Sequence, residues 1–205
     1  PMIALCMIWV KLDSDGPALM RQHRTGKGGR RFVMLKLRTM VKNAHELREK
    51  YAHLNECSYP DFKITNDPRM TRCGCLLRKL SLDELPQFFN IIVGEMSLIG
   101  PRPSPFRENQ ICIPWREARL SVRPGISGLW QVCRTERASG DFHQWIHYDL
   151  LYVRNVSLLV DLPLVFATCA PPPTGKRVPA SWVLPLPVLR AAGEPETTPE
   201  AAYDS

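Results

Sequence analysis

Asp83 and Glu84 stand side by side in LRKLSLDELPQFFN, residues 77–90, with an arginine-lysine pair before them and a proline after. A carboxylate can attack phosphorus or carbon and hold a covalent intermediate, dividing one difficult step into two. Attack on a phosphoanhydride requires cations around the reacting centre and usually a divalent metal, because the substrate's negative charge repels the approaching oxyanion. Several residues could supply that charge. Arg78 lies five residues before Asp83, and Arg102 is held between Pro101 and Pro103, which restrict the backbone on either side. Lys36 and Arg38 are spaced to project from one face of a strand. Guanidinium groups suit this task because they bind phosphate bidentately.

The same stretch carries a purely structural reading, and local evidence alone favours it. Ser81-x-x-Glu84 fits a capping box, in which the serine accepts from the third amide and the glutamate reaches back. Asp83 would then meet the helix dipole in the first turn. Pro86 disturbs that register by removing an amide needed in the second turn, whereas a helix starting at Asp83 would place it harmlessly.

The elements that must position these residues form a mainly α chain with minor β content. With 205 residues the chain suits one domain, or one domain plus a tail. RFVMLKL reads as a strand with Phe32, Met34 and Leu35 partly buried, after turns at Gly16-Pro17 and Gly26–Gly29. Composition predicts a surface helix over 41–54, a helix over 72–80 with Thr71 as N-cap, one over 82–93 stopping at Gly94, and one over 141–153. EMSLIGPRPSPF and RLSVRPGISGLWQV read as connections. The opening PMIALCMIWV, residues 1–10, reads as the end of a longer hydrophobic segment. The last 36 residues hold eight of the 19 prolines, so composition changes there to that of a loosely attached, disordered tail over 169–205.

Charge and cysteine usage narrow the function. The formal net charge is +7, and residues 21–42 carry eight Lys or Arg with no acid, a face suited to phosphates of nucleic acid, lipid headgroups or a small substrate. Nucleic-acid binding lacks a supporting helix-turn-helix, zinc-finger or aromatic RNA-binding motif. Seven cysteines without framework spacing suit reduced thiols. His143 and His147 share helical spacing but lack the glutamate of the zinc motif H-E-x-x-H. Gly26-Lys27 fails the P-loop spacing. The run VSLLVDLPLVFAT is broken by Asp161 and Pro163 and is too short to span a bilayer.

Three blocks in order carry a resemblance. They are SDGPALMRQHRTGKGGRRFVMLKLRTM, then TNDPRMTRCGCLLRKLSLDELPQFFNIIVGEMSLIGPRP, then RLSVRPGISGLWQV followed by YDLLYVRNVSLLVDLPLVFAT. Together they resemble the bacterial sugar transferase family, the monotopic polyprenyl-phosphate phosphoglycosyl transferases, over about residues 11–168. The resemblance implies a compact catalytic domain at the bacterial cytoplasmic membrane, facing the cytoplasm. It implies transfer of a sugar-1-phosphate from a nucleoside diphosphate sugar, commonly a UDP-sugar, to polyprenyl phosphate, initiating exopolysaccharide, O-antigen or glycan assembly. By similarity Asp83 is the nucleophile and a Mg²⁺ ligand, and Glu84 helps hold the site. Lys36, Arg78 and Arg102 fall to phosphate contacts by the resemblance, Arg38 joins them as a substrate-binding candidate from its strand spacing alone, and Arg123 and Gln131 become pocket candidates. Partners are the nucleotide-sugar, the polyprenyl phosphate and the membrane surface, with no nucleic acid; an oligomer is compatible. The chain departs from the pattern at its N-terminus, in Ser14-Asp15-Gly16-Pro17 where the family has SPGP, and in the proline-rich tail. The competing reading is a truncated, non-catalytic homologue acting as a scaffold.

Overall fold

A computed structural model describes residues 1–56, 62, 64–105, 113–133, 142–169, 180 and 183–184. Among them the architecture is mainly helical with two small sheets. The first sheet is an antiparallel hairpin of β1 (Leu19–Thr25) and β2 (Arg31–Leu37). Its alternation sorts β2 into two faces: Phe32 and Met34 are buried against Met96, and Lys36 extends the same face towards solvent. Leu37, on the opposite face, joins a second cluster with Ala18 and helices α1 (Met2–Asp13) and α3 (Arg72–Lys79), to which they contribute Cys6, Val10, Cys73 and Leu77.

α3 starts where its sequence says it should. Thr71 accepts a hydrogen bond from the Gly74 amide at 3.0 Å, and the Asp13 carboxylate at the end of α1 accepts from the Cys73 amide at 3.0 Å. The helix lies so close to the strand's exit that Gly74 faces the Thr39 backbone, and a β-carbon at residue 74 would collide with the Thr39 carbonyl. Gly74→Ala is therefore expected to destabilise the fold by about 3 kcal/mol, since backbone cannot yield as a side chain can. Urea unfolding with an unchanged slope and a lowered midpoint would show it, and an unchanged midpoint would refute the close approach.

The segment after α3 departs from the capping box. Ser81 has φ 54°, makes no side-chain cap, and donates its amide to the Arg78 carbonyl at 3.1 Å. It is spent on ending α3 in the left-handed region, and that conformation cannot double as the extended N-cap of a following helix. A 3₁₀ turn, Leu82–Glu84, follows, and α4 (Gln87–Ile92) begins directly after Pro86, where the missing amide costs nothing. The helix expected over 82–93 is thus broken in two. Asn90 locks α4 onto β2: its amide donates to the Val33 carbonyl at 2.8 Å and its oxygen accepts from the Leu35 amide at 3.1 Å.

The surface helix expected over 41–54 also fails. Only α2 (Leu47–Lys50) and a 3₁₀ turn, Ala52–Leu54, form, and neither buries a residue, so no packed face sustains a longer helix.

The second half of the chain is built on β3 (Ser97–Ile99), which pairs in parallel with β4 (Gly125–Ser127) across two stretches expected to be plain connections. Around them pack α5 (Ile113–Leu120), α6 (Leu129–Cys133), α7 (Phe142–Arg154) and α8 (Leu158–Cys169). Ile99, Leu129, Leu151, Tyr152 and Leu164 form that core, and Ala180, Val183 and Leu184 of the proline-rich segment pack into it. No helix of the described residues is long and apolar enough to cross a membrane.

Candidate active site

A cleft of about 690 Å³ opens between the hairpin, the 3₁₀ turn and the β3–β4 half. Its charged lining comes from five separate elements, β1 among them with Arg24. β2 supplies Lys36, α3 supplies Arg78, the 3₁₀ turn supplies Asp83 and Glu84, and the loop after β3 supplies Arg102. The left-handed step at Ser81 and the following tight turn aim both carboxylates into one space.

Asp83 is 8% exposed. Burial pushes its carboxyl above the usual aspartate range, and Glu84 adds to that push, while Lys36 and Arg78 pull the other way. The result is an incompletely hydrated carboxylate with cations within electrostatic reach, the environment a nucleophilic oxygen needs. Glu84 holds the Lys36 ammonium at 2.6 Å. Burial lowers the Lys36 pKa below the ordinary lysine value, with Glu84 opposing and Arg102 reinforcing that shift. Arg78 donates through Nε to the Thr39 hydroxyl at 3.0 Å, which fixes the guanidinium against the cleft wall.

Two residues expected at the site stand elsewhere. Arg38 follows the last residue of β2, is buried, and turns towards the end of α1, donating to the Val10 carbonyl at 3.3 Å, the Ser14 carbonyl at 2.7 Å and the Asp15 carbonyl. Three carbonyls of a helix terminus and its exit loop absorb its charge, so it does not share the cleft with Lys36. Arg123 is exposed in the loop before β4 and does not line the cleft. Gln131 does line it, from α6.

Sequence reasoning missed several contributors. Gln22 and Arg24 of β1 face the cleft beside Lys36, and their i, i+2 spacing in the basic segment was the available signal. Ser127 and Thr168, joined by a 2.7 Å hydrogen bond, line the opposite wall, and nothing local marks them.

Next to this polar cleft lies an apolar one of about 640 Å³ between α1, Leu35 of β2 and the start of α4. Leu85 and Phe88 line both. Large apolar side chains stay exposed on the same two helices, including Leu5, Ile8 and Leu12 on α1, Phe89 and Ile92 on α4, and Val93 just after it.

As oxygen donors for a divalent ion, Asp83 and Glu84 are adjacent, and among the described residues no group of three or more acids, histidines or cysteines is arranged to hold a metal ion. Two neighbouring carboxylates fit an ion that completes its shell with water and substrate phosphates, as Mg²⁺ does.

Comparison with known proteins agrees with these features. Residues 1–171 match the family model for bacterial sugar transferases. The chain is 40% identical over 172 residues to the exopolysaccharide production protein ExoY of Rhizobium meliloti, covering 82% of this chain and 75% of that one. It is 40% identical over 166 residues to the undecaprenyl-phosphate galactose phosphotransferase of Salmonella typhimurium, covering 78% of this chain and 34% of that one. It is 40% identical over 177 residues to the UDP-glucose:undecaprenyl-phosphate glucose-1-phosphate transferase of Caulobacter vibrioides, covering 82% and 61%. With the family model spanning most of its length, the chain belongs to the bacterial sugar transferase family and is a transferase by class.

Proposed function

We propose that the protein transfers a sugar-1-phosphate from a UDP-sugar to a polyprenyl phosphate through a covalent intermediate on Asp83, as the first membrane step in polysaccharide assembly. The observation that carries this reading is the buried Asp83 carboxylate lining one cleft with Lys36, Arg78 and Arg102. In the first step an Asp83 oxygen attacks the sugar-linked phosphorus; the bond from that phosphorus to the bridging oxygen breaks, and UMP leaves with the electron pair. In the second step a phosphate oxygen of the acceptor attacks the same phosphorus. The bond to Asp83 breaks, giving polyprenyl diphospho-sugar and restoring the carboxylate.

Lys36, Arg78 and Arg102 hold the diphosphate oxygens and stabilise charge as it moves to the leaving phosphate. Glu84 keeps the Lys36 ammonium in place. Asp83 and Glu84 would hold Mg²⁺, which would supply positive charge against the diphosphate. The apolar cleft sharing Leu85 and Phe88 with the charged one suits an acceptor with an anionic head and a hydrocarbon chain. The exposed apolar residues of α1 and α4 would rest on the cytoplasmic membrane surface, with the charged cleft open to the cytoplasm.

UMP release from a panel of UDP-sugars, with and without undecaprenyl phosphate and Mg²⁺, tests the reading. Sustained release is expected only with acceptor present, and a burst of one UMP per protein without it, with hexose phosphate recovered on the Asp83 peptide. Sustained release without any burst or adduct would exclude the covalent route, and no release from any donor would exclude the transferase chemistry.

A further inference from the structure

Arg102 sits in Pro101-Arg102-Pro103-Ser104-Pro105, where the prolines have no amide to donate. Such a loop can be held chiefly by its carbonyls, and four in succession are held. The Gly125 amide donates to Pro101 at 3.0 Å, Arg119 Nη2 to Arg102 at 3.3 Å, Arg24 Nη1 to Pro103 at 3.3 Å, and the Thr25 amide to Ser104 at 3.1 Å. The contact to the Arg102 carbonyl itself is made by a side chain that has been taken out of water to make it. Arg119 is 5% exposed and Asp149 2%, with Nε and Nη2 at 2.9 and 2.8 Å from Asp149 Oδ2. The guanidinium also lies over the Trp145 ring, 4.8 Å from its centre. Burial, against the pull of Arg119, leaves the Asp149 carboxyl raised to about 6.

A buried ion pair adds little net stability, because desolvation offsets most of the attraction. Its use here is geometric. We infer that Arg119, oriented by Asp149 on α7 and Trp145, is a positioning residue that fixes the peptide after Arg102 and so sets where the Arg102 guanidinium stands in the cleft. The inference rests on the cleft binding a diphosphate, which belongs to the reading above, but not on the transfer step.

The test is a double-mutant cycle read by calorimetric binding of UDP and of inorganic pyrophosphate, alongside kcat and KM for UMP release and the unfolding midpoint. Arg119→Met is expected to weaken UDP binding by roughly 10- to 100-fold, the scale of an ångström's misplacement. Arg102→Ala should do the same, and the double variant should be no weaker than Arg102→Ala alone. Arg119→Lys keeps a cation beside Asp149 but lacks the fork that reaches two acceptors, so it should fold as wild type and still show the loss. UDP binding by Arg119→Met or Arg119→Lys equal to wild type, or additive losses in the double variant, would overturn the inference. Wild type that binds UDP but releases no UMP would sink the transfer reading alone, while the cycle still decides Arg119. Wild type that binds neither probe would remove both.

Discussion

Asp83→Asn is expected to reduce UMP release by ~10⁴-fold or more, because a missing nucleophile leaves only what binding and charge can do for attack by another group. The substitution is nearly isosteric, so the cleft's shape survives, but an amide oxygen cannot form or release the acyl phosphate. Stability should move in the opposite direction. The carboxyl's pKa is raised in the folded protein, chiefly by burial. A raised acid pKa means the folded state is favoured at low pH and loses that advantage as pH rises through the folded value, so at neutral pH the ionised group is a cost to folding. Asparagine removes the cost, and the unfolding midpoint at neutral pH should be unchanged or higher, the usual trade at a site strained for chemistry. Turnover within a few-fold of wild type would end the nucleophile assignment. A lost activity accompanied by a collapsed midpoint would mean that Asp83 serves the fold instead.

The sequence was most legible where chemistry and local geometry agree. Thr71 as an N-cap, β2 as a strand and the helix of α7 all follow from patterns confined to a few residues, and each formed within about a residue of expectation. The residue types around Asp83 allowed a phosphate site while favouring a helix cap, and the family resemblance tipped the reading to the site; Lys36, Arg78 and Arg102 do line one cleft with Asp83. What stayed hidden depended on partners distant in the chain. Ser81 looks like a cap until one knows that α3 needs a left-handed residue at its end. Arg38 looks like a phosphate ligand until the end of α1 arrives with three carbonyls that accept from it. Gly74 and Asn90 carry no signal of their own inside the expected helices, yet one permits α3 to touch Thr39 and the other ties α4 to β2. β3 and β4, three residues each, are too short to show any alternation, and their parallel pairing spans the loop that carries Arg102.

Lys36→Met should give the second large effect, a fall in kcat/KM of ~10²–10³-fold, the scale of removing one preorganised charge from a reacting centre. Its reach is wider than one phosphate contact, because Lys36 is the strongest influence drawing the Asp83 pKa down. It is also the 2.6 Å partner of Glu84. Without it, Asp83 faces burial and the Glu84 charge with Arg78 and a backbone hydrogen bond opposing, so its pKa rises further. Asp83 must be ionised to attack. The acid limb of the pH–rate profile, already above the ordinary aspartate range, should therefore shift to still higher pH in the variant, making the loss greater in acid than in base. The alkaline limb carries a second signature. Burial lowers the Lys36 pKa, so wild type should lose activity below the pH at which an ordinary lysine deprotonates. Lys36→Arg keeps a cation that does not titrate in this range, so that limb should disappear while part of the activity remains. An acid limb that stays put in Lys36→Met, or an alkaline limb unmoved in Lys36→Arg, would show that this lysine does not govern the charge state of the site.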